Sequence, residues 1–125
     1  MDQNDELHIS YEETLKRKHD FRIRYILSSE FTNRGVATVC QGIRPMFCYQ
    51  KVPCDNQYHI WPEFETPSGE IIKKSNVAIR TRGTARMWII DEDEKIEHLK
   101  RLKAGTKCYL FLGKQLLAEC KVEIC

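Results

Sequence analysis

Apolar and polar residues alternate with a period of two at opposite ends of the chain. Phe21, Ile23, Tyr25 and Leu27 interleave with Arg22, Arg24, Ile26 and Ser28, and Leu116, Ala118, Cys120, Val122 and Ile124 interleave with Leu117, Glu119, Lys121 and Glu123. A period of two puts alternate side chains on opposite faces of an extended strand, so both segments are predicted to be half-buried strands, with the first set of each facing inward. Segments 36–40, 46–52 and 57–64 read as further strands, parted by the turn-forming runs Thr32-Asn33-Arg34-Gly35 and Gln41-Gly42. Thr66-Pro67-Ser68-Gly69 carries proline at the second position of a β-turn, so 70–73 is predicted to return as the other arm of a hairpin. Residues 77–82 and 84–90 make one extended run interrupted at Gly83, where a bulge or sharp bend is expected. Strands at 107–112 and 115–124 close the chain across Gly113-Lys114.

Helical spacing is clear in one place. Ile96, Leu99 and Leu102 follow Asp91, a good N-cap with Glu94 three residues on. Lys100, Arg101 and Lys103 then suit the negative end of the helix dipole, and Gly105 is a natural stop. This predicts one short helix near 92–103, with its three apolar residues against the core and His98 on the outer side. Ser10 with Glu13 forms a second capping box, so residues 1–19 are expected to be an arm or a short helix over 11–18. Many short strands with one short helix exclude a doubly wound fold. They predict an all-β architecture, an antiparallel six- to eight-stranded barrel in a single domain over 20–125.

Composition narrows the class without naming a function. The chain has 125 residues, with 20 Lys and Arg against 18 Asp and Glu, which is too even for a basic tail or an acidic disordered chain. No run approaches the ~18 apolar residues of a membrane helix. The start, Met1-Asp2-Gln3-Asn4-Asp5-Glu6, is acidic where a secretory signal needs a basic start and an apolar run. A cytoplasmic protein with no membrane partner is therefore expected. On that reading Cys40, Cys48, Cys54, Cys108, Cys120 and Cys125 are reduced thiols, with Cys120 a core residue. No two cysteines have the tight spacing of a zinc site, and Cys54 with His59 comes nearest. Neither a metal nor a cofactor is expected.

Three groups carry candidate binding chemistry. Arg80, Arg82 and Arg86 share strand parity, as do Arg22 and Arg24, and such arrays bind phosphate backbones. The same pattern also describes the solvated outer face of a half-buried sheet. Arg44 precedes Pro45 in extended geometry and can meet a partner's carboxylate or fix its own loop. In the aromatic cluster Tyr58, His59, Trp61 and Phe64, parity puts Tyr58, Ile60 and Phe64 on one face. His59 and Trp61 fall on the other, which leaves Trp61 partly exposed beside Glu63 and Glu65. Nothing resembles a catalytic constellation: Ser28-Ser29 lacks a nucleophile elbow, and His8, His19, His59 and His98 stand in unrelated contexts.

The segment Gln41-Gly42-Ile43-Arg44-Pro45-Met46-Phe47-Cys48-Tyr49 resembles the G-Y-R-P-Q-F-Y segment of the third domain of elongation factor Tu, with Gly42, Arg44, Pro45 and Phe47 identical. An alternating strand precedes it, a long strand over 77–90 follows it, and the closing hairpin is similar to the family's last, so the likeness spans 20–124. Ile43 and Met46 stand where the family has Tyr and Gln, and 92–103 looks like an insertion. No G-x-x-x-x-G-K-[ST] sequence is present, so the chain carries no phosphate-cradling P-loop. In that family the barrel is not catalytic: it packs on the GTPase domain, touches the T-stem of aminoacyl-tRNA and docks partner proteins. The resemblance implies a non-enzymatic binding module, translation-associated or toxin-neutralising, that meets a protein through Arg44, Trp61 and His59. The alternative is RNA or tRNA binding through Arg22, Arg24, Arg80, Arg82 and Arg86. A third reading, a small enzyme, needs a titratable pair in a pocket at the barrel mouth. Monomer and homodimer both remain open, since 36–40 is an edge strand able to pair between copies.

Overall fold

A computed structural model describes residues 7–29, 39–51 and 56–123, so Cys54, Cys125 and most of the strand expected at 36–40 lie outside the described residues. The elements in chain order are α1 (Tyr11–Leu15), β1 (Phe21–Leu27), β2 (Met46–Cys48), β3 (Ile60–Phe64) and β4 (Arg82–Ile89). A 3-10 turn (Glu92–Glu94) then runs into α2 (Lys95–Arg101), followed by β5 (Lys107–Leu112) and β6 (Gln115–Glu123). The six strands form one antiparallel sheet in the order β2-β5-β6-β1-β4-β3. The sheet curls until its edges meet. Phe47 of β2 and Tyr58, just ahead of β3, exchange two main-chain hydrogen bonds of 2.9 Å. The result is a barrel-like all-β fold, as the alternation predicts.

The interior is filled by the inward residues of the strands. Phe21, Ile23, Tyr25 and Leu27 of β1 pack with Ala85, Met87 and Ile89 of β4, Phe47, Ile60 and Phe64, and Leu110, Leu117, Ala118, Cys120 and Val122 of the closing hairpin. β1 has the predicted boundaries and the predicted strict alternation of burial. The hairpin departs from parity at one point. Leu110 pairs with Ala118 but Phe111 pairs with Leu116, so Leu117 is an extra residue in β6. That bulge turns Leu117 into the core, whereas simple alternation places it outside and Leu116 inside.

Three expected strands are shortened or lost. Of the described residues in 46–52 only Met46–Cys48 are strand, and 70–73 contributes a single bridge, Ile71 to Glu65. The edge of β3 is covered instead by a side chain. Buried Gln41 donates to the carbonyls of Phe64 and Ile72 at 2.8 and 2.9 Å and accepts from the Phe64 amide at 2.8 Å. Residues 77–81 stand outside β4, with Ala78 bridged to Cys40.

Gly83 marks no bulge. It pairs with Tyr25 in unbroken register, and its missing side chain makes room for the Tyr25 ring. A Cβ there would sit 3.0 Å from the Tyr25 hydroxyl oxygen, which itself donates to the Arg80 carbonyl at 2.9 Å. Gly83→Ala is therefore expected to destabilise the fold by about 1–3 kcal/mol through overpacking. Urea unfolding measures this, and an unchanged midpoint would show that the ring moves aside freely.

α2 is rotated from the predicted face, although Leu102 at its end packs against the core as expected. Ile96 and Leu99 are exposed and His98 is buried. The helix seats on an aromatic end of the barrel. The Tyr49 hydroxyl lies 2.7 Å from His98 Nδ1, with the two rings stacked, and Tyr58 meets the imidazole edge to face at 4.5 Å. An imidazole that both stacks and hydrogen-bonds fits this site better than Leu99, which explains the inversion. Burial lowers the His98 pKa, with Glu94 pulling the other way. The folded state thus disfavours the imidazolium, and the stability this supplies is present above the ordinary histidine range. It is lost as pH falls from about 6.5 through the lower folded value. The stability difference between wild type and His98→Phe is expected to shrink between pH 7.5 and 5. A difference that stays constant in urea titrations would contradict the burial argument.

A smaller second core lies outside the sheet. Trp88 points outward from β4 and is nevertheless fully buried, because residues 7–20 lie over it. Ser10 caps α1, accepting from the Glu13 amide as the capping box predicts. Tyr11 approaches Trp88 edge to face at 6.1 Å and Trp61 at 5.9 Å. The Arg17 guanidinium stands 5.6 Å from the Trp88 ring. Asp20 pins the arm to β4, its amide donating to the Met87 carbonyl at 2.8 Å and its carboxylate accepting from the Ile89 amide at 2.7 Å.

Candidate functional site: a cationic groove on the outer sheet face

The strand registers arrange the outward residues of the sheet in rows that cross it. One row runs Glu123, Arg22, Arg86 and Glu63 across β6, β1, β4 and β3. Its two arginines are satisfied internally. The buried Glu65 carboxylate accepts from Arg22 at 2.6 Å, from Arg86 at 2.8 Å and from the Thr84 hydroxyl at 2.6 Å. Burial alone would raise the Glu65 pKa. The hydrogen bonds from Arg22, Thr84 and Arg86 outweigh it and hold the carboxyl below its usual range. Glu63 is wholly buried under the arm and accepts from His8 and from the Tyr11 amide. Glu63 and Glu65 are thus consumed inside the fold rather than exposed beside Trp61, because the arm and two arginines cover that half of the face.

The next row is different. It runs Lys107, Lys121, Arg24 and Thr84 across β5, β6, β1 and β4. Three cations stand on adjacent strands, about 5 Å apart. Arg24 meets Glu123 at 2.6 Å, but neither Lys107 nor Lys121 forms an ion pair with another described residue. Like charges placed directly opposite one another destabilise a sheet. The row after that holds Tyr109, Glu119, Ile26 and Arg82, with Glu119 met by Lys51 at 3.2 Å. Arg82 and Arg80 also lack an ion pair among the described residues.

These rows line a groove of about 650 Å³ whose walls include Arg24, Arg80, Arg82, Lys107, Lys121 and Tyr109. Of its two acids, Glu65 and Glu119, each is engaged by cations of the fold, so the groove presents net positive charge. Cys120 lies at its floor, but burial and contact with Cys108 push its thiol well up, away from a reactive thiolate. The arginines read from the sequence therefore divide. Arg24, Arg80 and Arg82 open on the groove, whereas Arg22 and Arg86 belong to Glu65. Sequence parity did not reveal Lys107, Lys121 or Tyr109, because only the order of the strands makes β5 and β6 neighbours of β1 on this face.

The second candidate group comes together elsewhere. The Arg44 guanidinium stacks 4.0 Å from the Trp61 ring centroid, and His59 is exposed beside it on the same parity. Arg44 thus finds an internal cation–π partner and still keeps an exposed face. Among the described residues no group of acids, histidines and cysteines has metal-binding geometry, and no helix is long and apolar enough to cross a membrane. The chain matches no protein-family model, no curated protein and no solved structure.

Proposed function

We propose that this protein is a binding module for a phosphate-bearing partner, with RNA the best fit, and that it works without catalysis through the cationic groove. The observation that supports this is the unneutralised pair Lys107 and Lys121, directly opposite one another with Arg24 alongside. The neighbouring cations Arg22 and Arg86 are paired within the fold, so an array that costs stability in the free protein is best accounted for by an anion that covers it. A repeating phosphate chain suits cations spaced along a strand row. The reading does not depend on the sequence likeness to a translation-factor barrel.

Binding of a fluorescein-labelled single-stranded RNA is measured by anisotropy at several salt concentrations. Affinity should fall steeply with salt, losing about 0.7 in logarithmic slope per phosphate neutralised. Lys107→Gln with Lys121→Gln should flatten that slope by about one to one and a half units. The same double change should leave the fold as stable as before, or stabler by about 0.2–1 kcal/mol, because it removes a like-charge opposition. A slope that does not change sinks the proposal. A protein partner remains the second reading, favoured by the exposed Arg44–Trp61 stack. In that case Trp61→Ala abolishes capture of a partner that survives ribonuclease and high salt.

A further inference from the structure

The groove combines two chemistries in adjacent rows. Lys107, Lys121 and Arg24 form a line of cations, and in the next row Tyr109 and Ile26 stand on either side of Glu119, whose carboxylate is held by Lys51. Ile26 is 47% exposed although it sits in the middle of the sheet, and Tyr109 is half-buried on the groove wall. Arg82 faces Ile26 across β1 and β4, and the Tyr25 hydroxyl holds the Arg80 carbonyl at 2.9 Å, fixing the rim that carries Arg80. A groove built only for inorganic anions has no use for a phenol ring and an uncovered isoleucine between its cations. A flat apolar face beside a phosphate-binding row is what a nucleotide requires, since every base has a π-face to stack and every sugar carries a phosphate one step away.

We infer that the groove holds a nucleotide unit, its base against the Tyr109 ring and its phosphate on Lys107, Lys121 and Arg24. This rests on the phosphate-binding reading above and narrows it. The unit comes either as a free nucleotide or as one residue of a single strand. A duplex fits less well, because its bases are stacked on one another and offer no face to Tyr109.

The test uses the full chain and five probes: inorganic tripolyphosphate, adenosine monophosphate, a twelve-residue oligoadenylate, an RNA duplex of equal length and a polyglutamate peptide of equal charge. Binding is compared for wild type and Tyr109→Leu, which keeps apolar bulk but removes the ring. Thermal melting confirms that the variant folds. Oligoadenylate should bind tighter than duplex and peptide, and Tyr109→Leu should weaken it about tenfold while leaving tripolyphosphate within twofold. Saturable binding of adenosine monophosphate with the same Tyr109 dependence identifies a free nucleotide as a sufficient ligand. Its failure beside tight oligoadenylate binding assigns the site to a strand. Equal loss, or no loss, for RNA and tripolyphosphate overturns the nucleotide site and leaves a phosphate groove. Peptide binding as tight as RNA also overturns it, in favour of an acidic protein. If no probe binds, the phosphate-binding reading falls as well.

Discussion

Trp88→Ala is expected to lower the stability of the fold by about 3–5 kcal/mol, the largest effect of any single truncation outside the barrel interior. The ring is buried although it faces away from the core, with Tyr11, Arg17 and His19 of the arm around it. Removing it leaves a cavity between β4 and residues 7–20 that Tyr11 and His19 have no close partner to fill. It also removes the surface under the Arg17 guanidinium. Two observables should move together. The unfolding midpoint falls, and protease begins to cut within 7–20 while β1 to β6 stay resistant, because the arm is then held mainly by Asp20 and Glu63. A loss below about 1 kcal/mol is the ordinary range of a surface substitution and would mean that the arm is not a packed layer.

Glu65→Ala is expected to cost about 2–3 kcal/mol. The carboxylate is almost inaccessible and gathers Arg22, Arg86 and Thr84. Deletion takes the buried carboxylate from two guanidinium groups that are about a quarter exposed, 28% and 25%, and Arg22 keeps Glu123 while Arg86 keeps the Gly69 carbonyl, so the cost stays below that of a fully buried pair. Glu65→Gln keeps the acceptor oxygen and should cost less. The pH dependence has a definite sign. A carboxyl whose folded pKa is depressed contributes stability above its unfolded value, near 4.3, and loses it as pH falls through the folded value. Wild type should therefore lose its advantage over Glu65→Gln below about pH 4. An advantage as large at pH 2 as at pH 7 would mean that it does not come from holding the carboxylate ionised.

The barrel was legible because β1 and β6 alternate so strictly that only one face can be core. The residues where that reading fails share a cause. Leu117 turns inward at a bulge, which depends on how two strands slip past each other. Glu63 and Trp88 sit on the outward parity and are buried because the arm, from 50 or more residues earlier in the chain, covers them, and Glu65 is buried by Arg22 and Arg86. Helical spacing located α2 but gave the wrong inner face, since an aromatic seat made by Tyr49 and Tyr58 prefers an imidazole to a leucine. For the candidate site, Arg24, Arg80 and Arg82 were visible as an outward set. The lysines that turn three arginines into a groove were not, because their proximity is a property of sheet order alone.

The strand order has a consequence for how the chain is made. β1 is the first strand to leave the ribosome, yet its partners are β4, beginning some 60 residues later, and β6, whose Glu123 pairs with Arg22 across 101 positions. Until the last hairpin has been synthesised, an amphipathic strand carrying Phe21, Ile23, Tyr25 and Leu27 has one edge without a neighbour. At roughly 5–20 residues per second, that interval lasts about 5–20 s. The nascent protein must pass this interval with this amphipathic strand half-paired, so its yield in a cell depends on how fast β6 follows and on what shields β1 meanwhile.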